Sequence, residues 1–176
     1  PEKRMRRLLA FAITLLILTG SAWANAEQRR VDATAITEWP LSLTEYLSVL
    51  EDPGGKLTIS DVRQSALAAR FTGGHSPAEA LALGFTESAV WLRLVLRNDT
   101  SEVVQRILEI AIARHSSVQF YFPVVSDDGT RYELIDTGYA RSFADRPYKH
   151  RFFVFPFVIP EKSEQTVFLR FQGPDG

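Results

Sequence analysis

Cysteine is absent from the chain. That excludes disulfides, thiolate metal sites and cysteine nucleophiles together, and leaves apolar burial as the source of stability. A surplus of basic charge is also missing. Without the first 26 residues, the remainder holds 16 Lys and Arg against 20 Asp and Glu, a balance of −4. Nucleic-acid binding calls for a clustered basic surface, so no nucleic-acid partner is expected, and this overall charge is equally poor for adhesion to an anionic membrane. Heptads, low-complexity tracts and internal repeats do not stand out. His75, His115 and His150 stand apart, with no H-E-x-x-H pair to hold zinc. No G-x-S-x-G nucleophile elbow occurs. Asp127-Asp128-Gly129 carries the acids of a calcium loop without its later ligands or closing Glu, and reads as a hairpin turn. Glu109 and Asp136 would be the carboxylates for a glycosidase, but sequence sets no separation between them. Neither enzyme activity nor a cofactor or metal is expected.

What is present begins with an address. Lys3-Arg4-Met5-Arg6-Arg7 is a positive segment, Leu8 to Thr19 carries no charge, and Ala24-Asn25-Ala26 has the small-residue pattern of a signal-peptidase site. The uncharged stretch falls short of the roughly 20 residues needed to cross a bilayer as a helix. A signal peptide over 1–26, cleaved after Ala26, is therefore expected; an uncleaved anchor is the competing reading. Met5, the only methionine, is the sensible start. The expected organisation is a loose polar leader over 27–40 and one domain over 41–176.

Within that domain, apolar residues at 43, 46, 47 and 50 have helical spacing, and Pro53-Gly54-Gly55 stops the run. This predicts a short helix over Leu41–Asp52. Leu57 and Ile59 flank a possible short strand, and Ser60 resembles an N-cap for a brief turn through Gln64. From Val90 the period becomes two: Val90, Leu92, Leu94 and Leu96 fall on one side, Trp91, Arg93, Val95 and Arg97 on the other. Further strands are expected over Val103–Ile112, Ser117–Phe122, Arg131–Asp136, Arg151–Ile159 and Gln165–Phe171. Asp127-Asp128-Gly129-Thr130 joins the third and fourth as a hairpin, and Pro156 places its strand at an edge or bulge. The fold class expected is mainly β, a jelly-roll-like β-sandwich with a short N-terminal helix, preceded by a signal peptide. Because the last strand runs almost to Gly176, the chain is expected to stop before a final strand.

Four stretches carry a resemblance. They are Leu50-Glu51-Asp52-Pro53-Gly54-Gly55-Lys56-Leu57-Thr58-Ile59-Ser60-Asp61-Val62, Leu83-Gly84-Phe85-Thr86-Glu87-Ser88-Ala89-Val90-Trp91-Leu92-Arg93-Leu94, Gln119-Phe120-Tyr121-Phe122-Pro123 and Arg146-Pro147-Tyr148-Lys149-His150-Arg151-Phe152-Phe153-Val154-Phe155-Pro156. In order and spacing they resemble the 7TMR-DISMED2 domain, the second class of extracellular domain of bacterial 7TM receptors with diverse intracellular signalling modules. The resemblance runs from about Leu41 to about Phe171. It implies a periplasmic, jelly-roll-like sensor for a small, carbohydrate-like ligand. In such receptors the domain precedes seven membrane helices and a cytoplasmic output domain. This sequence carries neither, so it is either a receptor fragment or a free-standing exported copy.

The expected binding surface is aromatic and basic. Trp91 with Arg93, Tyr121, Arg151 with Phe153 and Phe155, and Phe168 with Arg170 are assigned to one face. Pyranose C–H faces stack on flat rings, and guanidinium forks donate to sugar oxygens. Arg141, Arg146, His150 and Arg151 form a second cluster suited to an anion or sugar acid. The ligand-binding candidates are Trp91, Arg93, Tyr121, Arg146, His150, Arg151 and Phe153. The competing readings are packing of Trp91 beneath the Leu41–Asp52 helix, the common fate of sheet aromatics, and a solvated loop with an ion pair to Asp145 or Asp136. A non-catalytic protein–protein interaction or structural module is the alternative function.

Overall fold

A computed structural model describes residues 28–36, 40–73, 88–111, 117–146 and 148–173. The expected signal peptide lies outside the described residues, as do His75 and His115.

The strands are β1 (Arg30–Asp32), β2 (Ser48–Asp52), β3 (Ala89–Asn98), β4 (Val104–Ile110), β5 (Ser117–Ser126), β6 (Gly129–Thr137), β7 (Phe153–Ile159) and β8 (Ser163–Gln172). Two one-turn helices, α1 (Ile59–Val62) and α2 (Ser65–Ala68), lie between β2 and β3. The main sheet has the order β1-β3-β8-β5-β6, with β2 also paired to β3, and β4 and β7 form a second sheet. The chain passes between the layers after β3, β4, β6 and β7. The result is a β-sandwich of unequal sheets, in agreement with the expected class.

Period-two alternation sets the inner side. Val90, Leu92, Leu94 and Leu96 of β3 join Val167, Leu169 and Phe171 of β8 and Val118 and Phe120 of β5. Against them pack Leu108 of β4 and Phe153, Phe155, Phe157 and Ile159 of β7. Among the described residues the second layer has two strands and is narrow. Ile36, Leu41, Leu43, Tyr46 and Leu47 also pack against this core, and Arg106 of β4 donates through Nε to the Ala33 carbonyl (2.9 Å). The β5–β6 hairpin closes at Asp127-Asp128 as expected, with Ser126 opposite Gly129. Pro156 is solvent-exposed on β7, which pairs only with β4 among the described residues; a residue with no N–H to give is tolerated there.

Three expectations are corrected. Leu41–Asp52 is not a helix: it holds a single 3-10 turn, Thr44–Tyr46, followed by β2. Four apolar residues at helical spacing are too few to sustain a helix when the edge of β3 offers a full ladder of hydrogen bonds. Part of the supposedly loose leader is β1, parallel to β3, with Val31 and Ala33 fully buried. The possible strand around Leu57 and Ile59 is replaced by α1, whose N-cap is Thr58 rather than Ser60.

Candidate functional site

The outer side of the main sheet carries the alternate residues, and part of it is roofed by the segment 53–73. Thr58 starts α1 with a capping box: its hydroxyl accepts from the Asp61 N–H, while the Asp61 carboxylate accepts from the Thr58 N–H (2.8 Å). The Thr58 hydroxyl also donates to Asp61 Oδ2 (2.6 Å), and this bond, with the one from the Thr58 N–H, holds the Asp61 carboxyl below its usual range. Asp52 Oδ2 accepts from the Leu57 N–H (2.9 Å), closing a turn in which Gly55 has φ +60°, a left-handed conformation that glycine adopts without strain. Val62 and Phe71 of this cap form a second apolar cluster with Leu50, Trp91 and Phe168 of the sheet.

Arg93 ties the cap to the sheet. Its Nε donates to Ser48 Oγ (3.1 Å) and Gln28 Oε1 (3.2 Å), and its Nη1 donates to the Ala68 carbonyl (3.0 Å). The guanidinium lies 4.6 Å from the centre of the Phe71 ring. Burial lowers its pKa, yet an arginine stays charged throughout.

Strand register sets a polar row beside the cap. Trp91 is opposite Arg170, Arg170 opposite Gln119, and Gln119 opposite Asp136. Tyr121, in the next row, stacks on Trp91 with ring centres 5.4 Å apart and donates its hydroxyl to Gln119 Oε1 (3.0 Å). Arg170 donates through Nη2 to the Gly55 carbonyl (2.9 Å), and its guanidinium carbon lies 5.9 Å from the centre of the Trp91 ring. Arg141 pairs with Asp136 Oδ2. Burial raises the Tyr121 pKa; the charge of Arg170 lowers it and that of Asp136 raises it, so both charges reach this ring.

Three atoms of the row are buried without a hydrogen-bond partner: Trp91 Nε1, Arg170 Nε and Asp136 Oδ1. Leaving such an atom unpaired costs about 1–3 kcal/mol. Two donors and one acceptor on one sheet face are thus left for a bound molecule or water to complete.

The seven sequence candidates do not share one face. Trp91, Arg93 and Tyr121 share the outer face of the main sheet, with Trp91 fully buried beneath the cap. Arg146, His150 and Arg151 lie in the loop before β7: Arg146 Nη1 donates to the His150 carbonyl (2.9 Å), its guanidinium lies 4.7 Å from the Phe153 ring centre, and Arg151 lies over Phe152. The single aromatic–arginine face is corrected here. Phe153 and Phe155 point into the sandwich core from the other sheet, because β7 turns its Phe side inward and leaves Val154, Pro156 and Val158 outside. Trp91 does pack beneath a cover, but that cover is the segment 53–73. The expected ion pair to Asp136 is made by Arg141. Gln119 and Asp136 are absent from the expected surface, and Arg170, which is assigned to it, is not paired there with Trp91. Arg170 falls on the Trp91 side by alternation, but its pairing with Trp91 depends on the register of strands far apart in sequence.

A family model described as 7TMR-DISM extracellular 2 matches residues 44–176. No curated protein matches the chain.

Proposed function

The chain belongs to the 7TMR-DISM extracellular 2 family, and on that premise we propose that it is a non-catalytic, periplasmic ligand-sensing domain. In a full-length receptor it would pass ligand occupancy to a seven-helix membrane domain and a cytoplasmic output domain. The ligand is a small polar, carbohydrate-like molecule held at the row from Trp91 to Asp136. The observation that carries this reading is the set of unpaired buried atoms, Trp91 Nε1, Arg170 Nε and Asp136 Oδ1, beside the Trp91–Tyr121 stack. A hydroxyl-rich molecule offers both acceptors and donors to such a set, and orientation by a few placed polar groups is how small-molecule sites discriminate. Glu109 on β4 and Asp136 on β6 belong to different sheets, and this reading assigns neither a catalytic role.

Thermal-shift screening of the chain against sugars, sugar acids and amino acids at millimolar concentration tests it. A ligand that binds only the folded state raises the melting temperature. That rise should disappear in both Arg170→Gln and Asp136→Asn. The absence of any stabilising compound would overturn the ligand reading.

The second reading, a protein-interaction module, draws on the outer side of the small sheet. Val103 just before β4, Ile107 on β4 and Val158 on β7 are each about half exposed. A concentration-dependent mass, abolished by Ile107→Ser and indifferent to Arg170→Gln, would favour it.

A further inference from the structure

The three exposed aromatic side chains among the described residues all lie in the loop between β6 and β7: Tyr139 (76%), Phe143 (52%) and Tyr148 (49%). The same loop carries Arg141, Arg146, Lys149 and Arg151 against a single acid, Asp145. The overall balance of −4 conceals this local surplus. Large aromatic rings in water beside basic side chains are costly decoration for a solvated loop, and they are the composition that settles at a bilayer surface. There aromatic rings sit at headgroup level and Lys and Arg meet anionic lipid.

Strand register adds a second, independent argument. Thr137, the last residue of β6, pairs with Val118, and Gln172, the last residue of β8, pairs with Ser117. The loop therefore leaves the main sheet at the end toward which β8 runs. The opposite end carries the Asp127-Asp128 turn. The aromatic and basic loop and the acidic turn therefore lie at opposite ends of the main sheet, so a bilayer that attracts the first meets no acidic turn beside it.

We infer that residues 138–146 and 148–152 form a bilayer contact: Tyr139, Phe143 and Tyr148 seat among the headgroups, and Lys149 and Arg151 engage anionic lipid. The contact is a property of this chain alone and does not depend on the proposed receptor reading.

The absence of cysteine allows one reporter at a time. Ala140→Cys, in the loop, or Val125→Cys, at the far end of the sheet, is labelled with an environment-sensitive fluorophore. The chain is then mixed with vesicles of phosphatidylglycerol and phosphatidylethanolamine, or of phosphatidylcholine. The expected result is a severalfold, blue-shifted rise at position 140 with the anionic vesicles, little change with phosphatidylcholine, and none at position 125. Added salt should weaken the response, as should Lys149→Gln with Arg151→Gln. A label at 140 that stays equally open to iodide with and without anionic vesicles would overturn the inference, as would an equal response at 125. Vesicle binding without stabilisation by any small molecule would sink the sensor reading and keep this one; the reverse outcome would do the opposite.

Discussion

The two sides of the main sheet are built from alternate residues of the same strands, yet they are covered in different ways. The inner side presents Val90, Leu92, Leu94, Val118, Phe120, Val167 and Leu169, and its buried cluster is entirely apolar. The outer side presents Trp91, Arg93, Gln119, Tyr121, Asp136, Phe168 and Arg170. The inner cover includes β4 and β7, which pair with each other along their length, and the sheet beneath reaches up to them at its end, where Asn98 Nδ2 donates to the Ile159 carbonyl (3.2 Å). The outer cover is the segment 53–73, two one-turn helices joined by turns, which has carbonyls to satisfy. Arg93 and Arg170 reach up to two of them, at Ala68 and Gly55. A sheet roofed by regular structure can stay dry, whereas one roofed by loops must place polar side chains beneath them. Once those are present, a site for a polar ligand needs only a few of their atoms left unpaired.

The largest expected effect tests the dry side. Phe120 is fully buried, with the rings of Phe122, Phe155 and Phe157 within 6 Å. Phe120→Ala removes this packing across both layers and should cost about 3–5 kcal/mol in denaturant unfolding, with the loss felt throughout the chain. A cost near 1 kcal/mol would mean that the inner layer collapses easily, and the contrast between the sides would fail.

Next in size is the tether of the cap. Arg93→Met keeps the apolar stem but leaves the Ala68 carbonyl without its donor and removes the bonds to Ser48 and Gln28. A loss of about 1.5–3 kcal/mol is expected, typical of hydrogen bonds to a charged group. It should appear in hydrogen exchange as faster exchange at residues 65–72, with β5 amides still protected. Equal loss of protection in β5 would show that cap and sandwich unfold as one unit.

This contrast was partly legible in the residues themselves. Val90–Leu96 alternates so regularly that both sides of β3 follow from it, and the pair Asp127-Asp128 before Gly129 marked its hairpin. The strand hydrogen bonds of β2 and β1 were hidden. The apolar spacing at 43, 46, 47 and 50 mimics a helix, and β1 buries only Val31 between two exposed residues. The candidate site was legible as a composition, Trp91 and Tyr121 with arginines, but not as a place. Alternation tells that Phe153 and Phe155 share a side; it does not tell that β7 crosses to the other sheet and turns that side inward. Nor can it pair Asp136 with Gln119 or Arg170 with Trp91, since those relations are matters of long-range register.

A smaller effect is expected at the start of the cap. Thr58→Ala removes the hydroxyl that accepts from the Asp61 N–H, and should cost about 1 kcal/mol if the cap remains coupled to the sandwich. The same substitution takes away the hydroxyl bond that does most to hold the Asp61 carboxyl low, while the bond from the backbone N–H stays. The Asp61 titration, followed by carboxyl carbon shifts, should therefore move up toward the ordinary value. A normal cap stability with an unmoved Asp61 titration would show that the capping box does not form in solution.

The smallest expected effect separates the two sides by pH. Burial raises the pKa values of Tyr121 and Tyr132 above the ordinary value of 10.0. The sign follows from proton binding. Above about pH 10 the unfolded chain loses its phenolic protons while the folded chain retains them, so stability falls as pH rises toward the folded values. Both tyrosines lie beside the outer cluster, and the buried inner cluster contains no titratable group. Tyr121→Phe should therefore flatten the alkaline decline in the denaturation midpoint, with Tyr132→Phe flattening it further, while Phe120→Leu lowers the midpoint by the same amount at every pH. If Tyr121→Phe leaves the slope unchanged, the phenol is already open to water in the folded chain. The cap would then be lifted from the Trp91 stack much of the time, and the polar row would be an open surface rather than a covered one.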